Sequence, residues 1–222
     1  KCCFSIAVCL IAALLLLNPG TEVKVSGQTG TQFVCGTIFR HDTAAKTIDI
    51  VVNGVFFTTL RYSGTMEKPV FSPVHAPSGI AVTRGFPMAP KQGERIDHLH
   101  QSGVWFNYGS LNGLDFWNNS PAVPREKKCL YGSIICIEDS IRTNSPGGSL
   151  ATYCEWINCR GEALLSESTV FVFRGYGGNL FLMERITRLT AVADSVIFGD
   201  SKEGLFAVRV GKPFEMPSDK PA

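Results

Sequence analysis

The sequence lacks the charge imbalance that would indicate a nucleic-acid partner. Its 222 residues carry 21 lysine and arginine residues against 19 aspartate and glutamate residues, a formal net charge of +2. No lysine- or arginine-rich run stands out, so we expect no nucleic-acid binding. With 45% hydrophobic and 18% charged residues, the chain can bury a sizeable core, which argues against intrinsic disorder.

Long apolar runs are confined to the first residues. Residues 2–17 hold no charge and are almost entirely apolar. The run 6–17 has the length of the apolar part of a signal peptide and is short for a membrane span, which needs roughly 20 residues. We therefore interpret residues 1–26 as a secretory signal peptide, with an uncleaved anchor as the alternative. This predicts a secreted or periplasmic protein with no membrane span after the signal.

The cysteines form no C-x-x-C pair, so a zinc site is not expected. Five of the eight cysteines follow the signal, namely Cys35, Cys129, Cys136, Cys154 and Cys159. Their odd number and irregular spacing predict no disulfide framework. Cys154 and Cys159 are close enough to pair across a turn, which export would permit. Buried thiols on strands are the alternative, which we slightly prefer.

A 3.6-residue hydrophobic period over three turns is absent after the signal. In its place, Asn53-Gly54 joins two β-rich runs within residues 47–62, the strongest short hairpin signal, because both turn positions need positive φ. Turn residues separate the many short β-rich segments that follow. We predict a single all-β domain over residues 27–222, folded as a β-sandwich. Its four successive later strands are expected at residues 131–138, 150–157, 164–173 and 180–191.

Two of the four histidines lie in a proline- and glycine-containing loop that ends at residue 100. If this segment is extended, His98 and His100 point to the same side. Two such imidazoles could ligate a metal, or they could act as an acid/base pair, because histidine titrates near neutrality. Asp97 could fix the tautomer of a neighbouring ring. A purely structural loop is the remaining alternative.

Aromatic and polar side chains are mixed in the segment that follows. Trp105 and Trp117 supply aromatic faces, and Asn112 and Asp115 supply groups that bond hydroxyls. Aromatic faces stacked on C–H groups, with amides and carboxylates beside them, suit a sugar ligand. The alternative is that both tryptophans belong to the core.

A second polar segment lies near the end of the chain. Asp200, Lys202 and Glu203 share one tight turn, and Arg209 lies on the strand that follows. This turn could be ordinary solvated charge or a rim that completes a pocket. In the second case, Asp200 and Glu203 would supply carboxylate chemistry. Arg209, with Arg84, would bind a carboxylate or hydroxyl-rich substrate by forked hydrogen bonds.

Together, in order and spacing, these motifs carry a resemblance to a known family. The motifs are Thr83-Arg84-Gly85-Phe86-Pro87, Asp97-His98-Leu99-His100 with Gly103-Val104-Trp105-Phe106, Asn112-Gly113-Leu114-Asp115-Phe116-Trp117, and Asp200-Ser201-Lys202-Glu203-Gly204 with Arg209-Val210. Over about residues 48–217, the chain resembles the PmoA-like family, labelled methane oxygenase PmoA. The resemblance implies an exported, largely uncharacterised bacterial protein. It also implies a β-sandwich similar to the galactose-mutarotase type, and with it a sugar ligand.

The family label itself is a poor guide to activity. The particulate methane monooxygenase subunit of that name is built on membrane-spanning helices, which are not expected after the signal here. Members of the family continue beyond the end of this chain, so we expect its C-terminal part to be missing.

Three functions remain open from the sequence. The leading one is an exported enzyme acting on a carbohydrate, with His98 and His100 as proton carriers or metal ligands. The second is a non-catalytic glycan-binding module. The third is a metal-dependent oxygenase with a divalent metal such as iron, held by the two histidines and by Asp115 or Asp200. The cofactor is otherwise unknown.

Overall fold

The computed structural model describes residues 3–6, 36–144, 147–177 and 179–216, with the backbone alone at 3–6, 138 and 141–144. The predicted signal peptide lies outside these residues, apart from one short strand, and stays a prediction. Within the described part of the chain, the helical segments are short 3₁₀ turns, and none has the length and apolar character of a membrane span.

The described residues form two antiparallel sheets. One has the strand order β1-β10-β9-β8-β7 and the other β11-β6-β5-β4-β3-β2. The prediction of an all-β sandwich is confirmed. The strands are β1 (Cys3–Ile6), β2 (Thr37–Asp42), β3 (Thr47–Val52), β4 (Val55–Arg61), β5 (Val70–Val74), β6 (Val104–Phe106), β7 (Ser133–Asn144), β8 (Gly147–Ile157), β9 (Ala163–Tyr176), β10 (Leu180–Ala191) and β11 (Phe206–Val208).

The predicted hairpin is strands β3 and β4. Asn53 and Gly54 take φ values of 51° and 79°, the left-handed region that a tight two-residue hairpin turn requires. The four later strands are also confirmed. They form the consecutive antiparallel strands β7 to β10. The first three run longer than predicted, and β10 has the predicted bounds.

The main core lies between the two sheets. Along β8 every second residue is buried, as expected for a strand with one face on a core. Apolar side chains of both sheets meet there, among them Ile50 and Phe71 from one sheet and Leu150 and Phe171 from the other. This packing makes the two sheets a sandwich.

A second, smaller apolar cluster lies on the opposite face of the six-stranded sheet. Trp105 stands between Val104 and Phe106, which both face the main core. Because side chains alternate along a strand, Trp105 points to the other face, where it packs with Val70 and Trp117. The polar loop predicted from the sequence ends shortly before β6. The end of this loop therefore lies next to the strand that carries Trp105.

The cysteines follow the alternatives drawn from the sequence only in part: Cys154 is a buried thiol on a strand, as in the preferred alternative, but Cys159 has a disulfide partner that was not predicted. Cys129 and Cys159 form a disulfide with a Cα–Cα distance of 5.0 Å. A Cys154–Cys159 bridge is wrong, because Cys154 faces the main core from β8 with 1% of its surface exposed. The observed bridge joins the 3₁₀ segment Arg125–Leu130 to the turn after β8.

We expect the double substitution Cys129→Ser, Cys159→Ser to lower the free energy of unfolding by about 2–4 kcal/mol, because the bridge closes a loop with a sequence separation of 30 residues. Urea unfolding of both proteins checks this. Peptide mapping of the unreduced protein should recover Cys129 linked to Cys159. A peptide linking Cys154 to Cys159 would contradict the assignment.

Candidate functional site

A buried arginine organises the predicted polar loop. Arg84 is 1% exposed and directs both terminal nitrogens into the segment 95–101. Nη1 donates to the carbonyl of Arg95 (3.0 Å) and to Asp97 Oδ1 (2.8 Å). Nη2 donates to the carbonyls of His98 (3.2 Å) and Gln101 (2.9 Å). Arg84 therefore positions the loop. We had predicted that Arg84 binds a substrate, but its Nη atoms are directed into the loop.

Asp97 links two arginines to a histidine. Its Oδ1 accepts from Arg84 and, at 3.1 Å, from Nη2 of Arg209. Its Oδ2 lies 2.9 Å from Nδ1 of His98. Burial acts to raise the pKa of Asp97, but the hydrogen bonds from His98 and Arg84 and the charge of Arg209 outweigh it and hold that pKa below its ordinary value. Asp97 is thus an ionised carboxylate in the neutral pH range.

The two histidines come together on a turn within the predicted loop, and not on an extended segment. His98 takes a φ of 48°, and its carbonyl accepts from the backbone N–H of Gln101 at 2.9 Å. The rings of His98 and His100 still lie close, with centroids 5.6 Å apart and planes at 74°. The side chain of His98 is 53% exposed, so its ring is accessible from outside the loop.

His100 is the more buried of the pair. Burial lowers the pKa of His100 to about 4, and the positive charge of Lys68 acts in the same direction. Its ring is therefore neutral near pH 7 and offers one N–H donor and one nitrogen acceptor.

Lys68 joins this group, although no sequence pattern singled it out. It precedes β5, is 1% exposed, and its Nζ lies 5.9 Å from the ring centre of Trp105. Burial lowers the pKa of Lys68 to about 8, partly offset by the carboxylates of Glu67 and Asp115. A single lysine before a Pro-Val-Phe strand looks like a surface residue in sequence, because burial by loops from elsewhere in the chain has no local signature.

The two tryptophans are buried, as in the alternative that placed them in the core. Trp105 and Trp117 are 3% and 5% exposed, and their rings pack against each other with centroids 5.3 Å apart. They are therefore not an open stacking surface for a sugar. The Trp105 ring faces the ammonium of Lys68.

Two predicted substrate-binding side chains are engaged within the protein. Asn112 accepts from the backbone N–H of Ile197 (2.7 Å) and donates to the carbonyl of Ser195 (3.1 Å). Asp115 accepts from the backbone N–H (2.9 Å) and the side-chain amide (2.7 Å) of Asn118. Asn112 is thus a loop clamp, and Asp115 contributes mainly its charge near Lys68 and His100.

The second polar segment has its contacts at the other end of β6. Lys202 is 90% exposed and pairs with Glu203 at 3.4 Å. The carbonyl of Glu203 accepts from the backbone N–H of Gly109 at 3.4 Å. This turn, which includes Asp200, matches the alternative of ordinary solvated charge. Arg209 differs, because it reaches Gln101 Oε1 (3.0 Å) as well as Asp97.

A metal site has no ready donor set here. Within the described ranges, no group of three or more histidine, cysteine, aspartate or glutamate side chains is placed to hold a metal ion. The contact of Asp97 with Nδ1 of His98 leaves Nε2 as the ring atom that could bind a proton or a metal. With no third donor grouped beside the two histidines in these ranges, the arrangement suits proton transfer better than metal ligation.

Comparison with protein families places the whole site inside one match. The model of a "Family of unknown function (DUF6807)" matches residues 47–219. The chain belongs to this family. Neither the curated proteins nor the solved structures contain a match. The match begins with β3 and extends beyond β11. The resemblance of the chain to the PmoA-like family and the similarity of its fold to the galactose-mutarotase type stay predictions.

We expect Arg84→Lys to lower the free energy of unfolding by about 2–4 kcal/mol, because one ammonium cannot replace the four hydrogen bonds that the buried guanidinium makes. Chemical denaturation measures the change. Arg188→Lys is the matched control, since Arg188 is exposed on β10, and it should change stability by no more than about 0.5 kcal/mol. Equal stabilities of Arg84→Lys and wild type would show that Arg84 does not hold the loop.

The low pKa of His100 predicts a pH dependence of stability. As the pH falls, the His100 imidazole takes up a proton near pH 6.5 in the unfolded chain but only near pH 4 in the folded protein. Folding stability attributable to His100 is therefore complete above pH 6.5 and falls as the pH drops towards 4. The fall should be smaller in His100→Gln, as measured by urea unfolding at pH 7, 5.5 and 4.5. Parallel curves for the two proteins would contradict the burial of His100.

Proposed function

We propose that this DUF6807 protein is an exported protein that binds and processes a carbohydrate, with His98 as its proton carrier. The observation that supports this most directly is the contact of 2.9 Å between Asp97 Oδ2 and His98 Nδ1. A carboxylate at Nδ1 fixes the tautomer that keeps the proton there, which leaves the Nε2 lone pair available. The exposed ring then acts as a base towards a hydroxyl or a C–H proton of the ligand.

The arginines support this role indirectly. Arg84 and Arg209 both donate to Asp97 Oδ1, which keeps the carboxylate ionised and fixes its second oxygen towards His98. His100, neutral and 5.6 Å away ring to ring, is placed to donate or accept a hydrogen bond from the same ligand. The site thus contains one oriented base and one neutral polar partner, which suits a substrate rich in hydroxyl groups.

The metal-dependent oxygenase is the weaker proposal. It requires a third ligand beside His98 and His100, and the described residues group none with them. A non-catalytic glycan-binding module uses the same surface without proton transfer. Only a measurement of turnover distinguishes the glycan-binding module from the enzyme.

We expect His98→Gln to lower the turnover of a saccharide substrate by about 10²- to 10⁴-fold, because a positioned general base contributes that much, while binding is retained. A saccharide screen that follows binding by calorimetry and conversion by NMR identifies the substrate first. His41→Gln is the matched control, since His41 bonds Tyr62 elsewhere on the sheet. Binding without conversion in the wild type would favour the glycan-binding module, and unchanged turnover in His98→Gln would overturn the role of His98.

A further inference from the structure

Three buried hydrogen-bond donors share the outer face of the six-stranded sheet. They are Nζ of Lys68 and the indole N–H groups of Trp105 and Trp117. Each of these atoms is buried and has no hydrogen-bond acceptor among the residues that the structure describes. An unsatisfied buried donor destabilises the fold, and it does so more strongly when it is charged. Three of them in one cluster indicate a place that receives an acceptor from outside the chain.

The three donors are close neighbours. The Nζ of Lys68 lies 5.9 Å from the ring centre of Trp105, and the Trp105 and Trp117 rings are 5.3 Å apart. Lys68 is also close enough to His100 for its charge to lower the pKa of that imidazole. The donor cluster of Lys68, Trp105 and Trp117 therefore adjoins the histidine pair.

The positive charge in this cluster has no ion-pair partner within the described part of the chain. The nearest acidic groups bond elsewhere. Glu67 accepts from Lys128 (2.6 Å) and Ser133 (2.6 Å), and Asp115 accepts from Asn118. The Trp105 ring offers a cation–π contact at the outer limit of its range, which satisfies neither the N–H donors nor the full charge. A buried ammonium without a paired anion is unusual, because isolated buried charges are costly.

We propose that the donor cluster of Lys68, Trp105 and Trp117 is a subsite for the carboxylate group of an acidic saccharide such as a uronic acid. A carboxylate brings two oxygens and one negative charge, which match one ammonium and two neutral N–H donors. Because the cluster adjoins His100, a bound carboxylate would carry the sugar hydroxyls towards His98.

Only one part of this inference rests on the proposed function, namely that the carboxylate belongs to a sugar. The carboxylate subsite itself depends on the three donors and on the charge of Lys68. The two parts can therefore fail separately, and the probes are chosen for that: galacturonate and glucuronate, the neutral sugars galactose and glucose, and acetate.

The experiment measures binding of these probes to the full chain by calorimetry and tryptophan fluorescence at pH 7. We expect the uronic acids to bind roughly 10- to 100-fold more tightly than their neutral counterparts, the range for a charge-assisted hydrogen bond. Lys68→Met should remove this preference, and Lys127→Met, at an exposed lysine, should keep it. Removal of a buried unpaired cation should leave the melting temperature unchanged or raised, so the variant is expected to fold.

Trp117→Phe, which keeps a ring and loses one donor, should weaken uronate binding several-fold.

The pH dependence of uronate affinity is a second measurement, and a lysine with a purely structural role would not affect it. Uronate affinity should fall as the pH rises past about 8, where free Lys68 loses its proton, and Lys68→Met should show no such fall.

Each outcome decides one part of the account. Uronate preference that is lost in Lys68→Met supports the subsite. Lys68-dependent binding of acetate without any sugar binding keeps the subsite and overturns the carbohydrate function. Equal binding of neutral and acidic sugars to wild type and Lys68→Met overturns the subsite and leaves the carbohydrate function standing. If no probe binds, with the donors satisfied by buried water alone, both are overturned.

Discussion

The pairing of the buried Arg84 with the partly exposed Asp97 is the interaction on which the rest of the site depends. One guanidinium at 1% exposure holds three backbone carbonyls and one carboxylate of a loop that has no regular secondary structure. Loss of this guanidinium is costly, because the carbonyls and the carboxylate are left without their donor. The loop geometry is therefore set by a side chain from outside the loop, and the orientation of His98 follows from the same carboxylate.

The sandwich provides the rigid support for this arrangement. Alternation along β6 sends Val104 and Phe106 into the main core and Trp105 to the outer face. That outer face, where a simple sandwich would meet solvent, carries buried tryptophans and a buried lysine beneath the histidine loop. Placing a polar site over a rigid sheet, with its active groups on loops, is the common way that β-proteins hold functional residues.

Much of the fold was predictable because its signals are local. The Asn53-Gly54 turn requires positive φ at both positions, and β8 shows its buried face by simple alternation. The site was predictable in residue identity only. Asp97 contacts His98, but Arg84 was assigned to substrate and Lys68 was missed. Both depend on burial by segments distant in sequence, which leaves no periodicity or spacing to read.

The most direct test of the account is the tautomer of His98. Nitrogen-15 NMR of the imidazole nitrogens at pH 7.5, with His98→Gln to assign the signals, reports which nitrogen carries the proton. We expect the His98 ring to carry its proton at Nδ1, facing Asp97, and to have an unprotonated Nε2. A His98 ring protonated at Nε2 would contradict it, because the carboxylate would then not hold the Nδ1 proton and His98 would have no lone pair to act as a base towards the ligand.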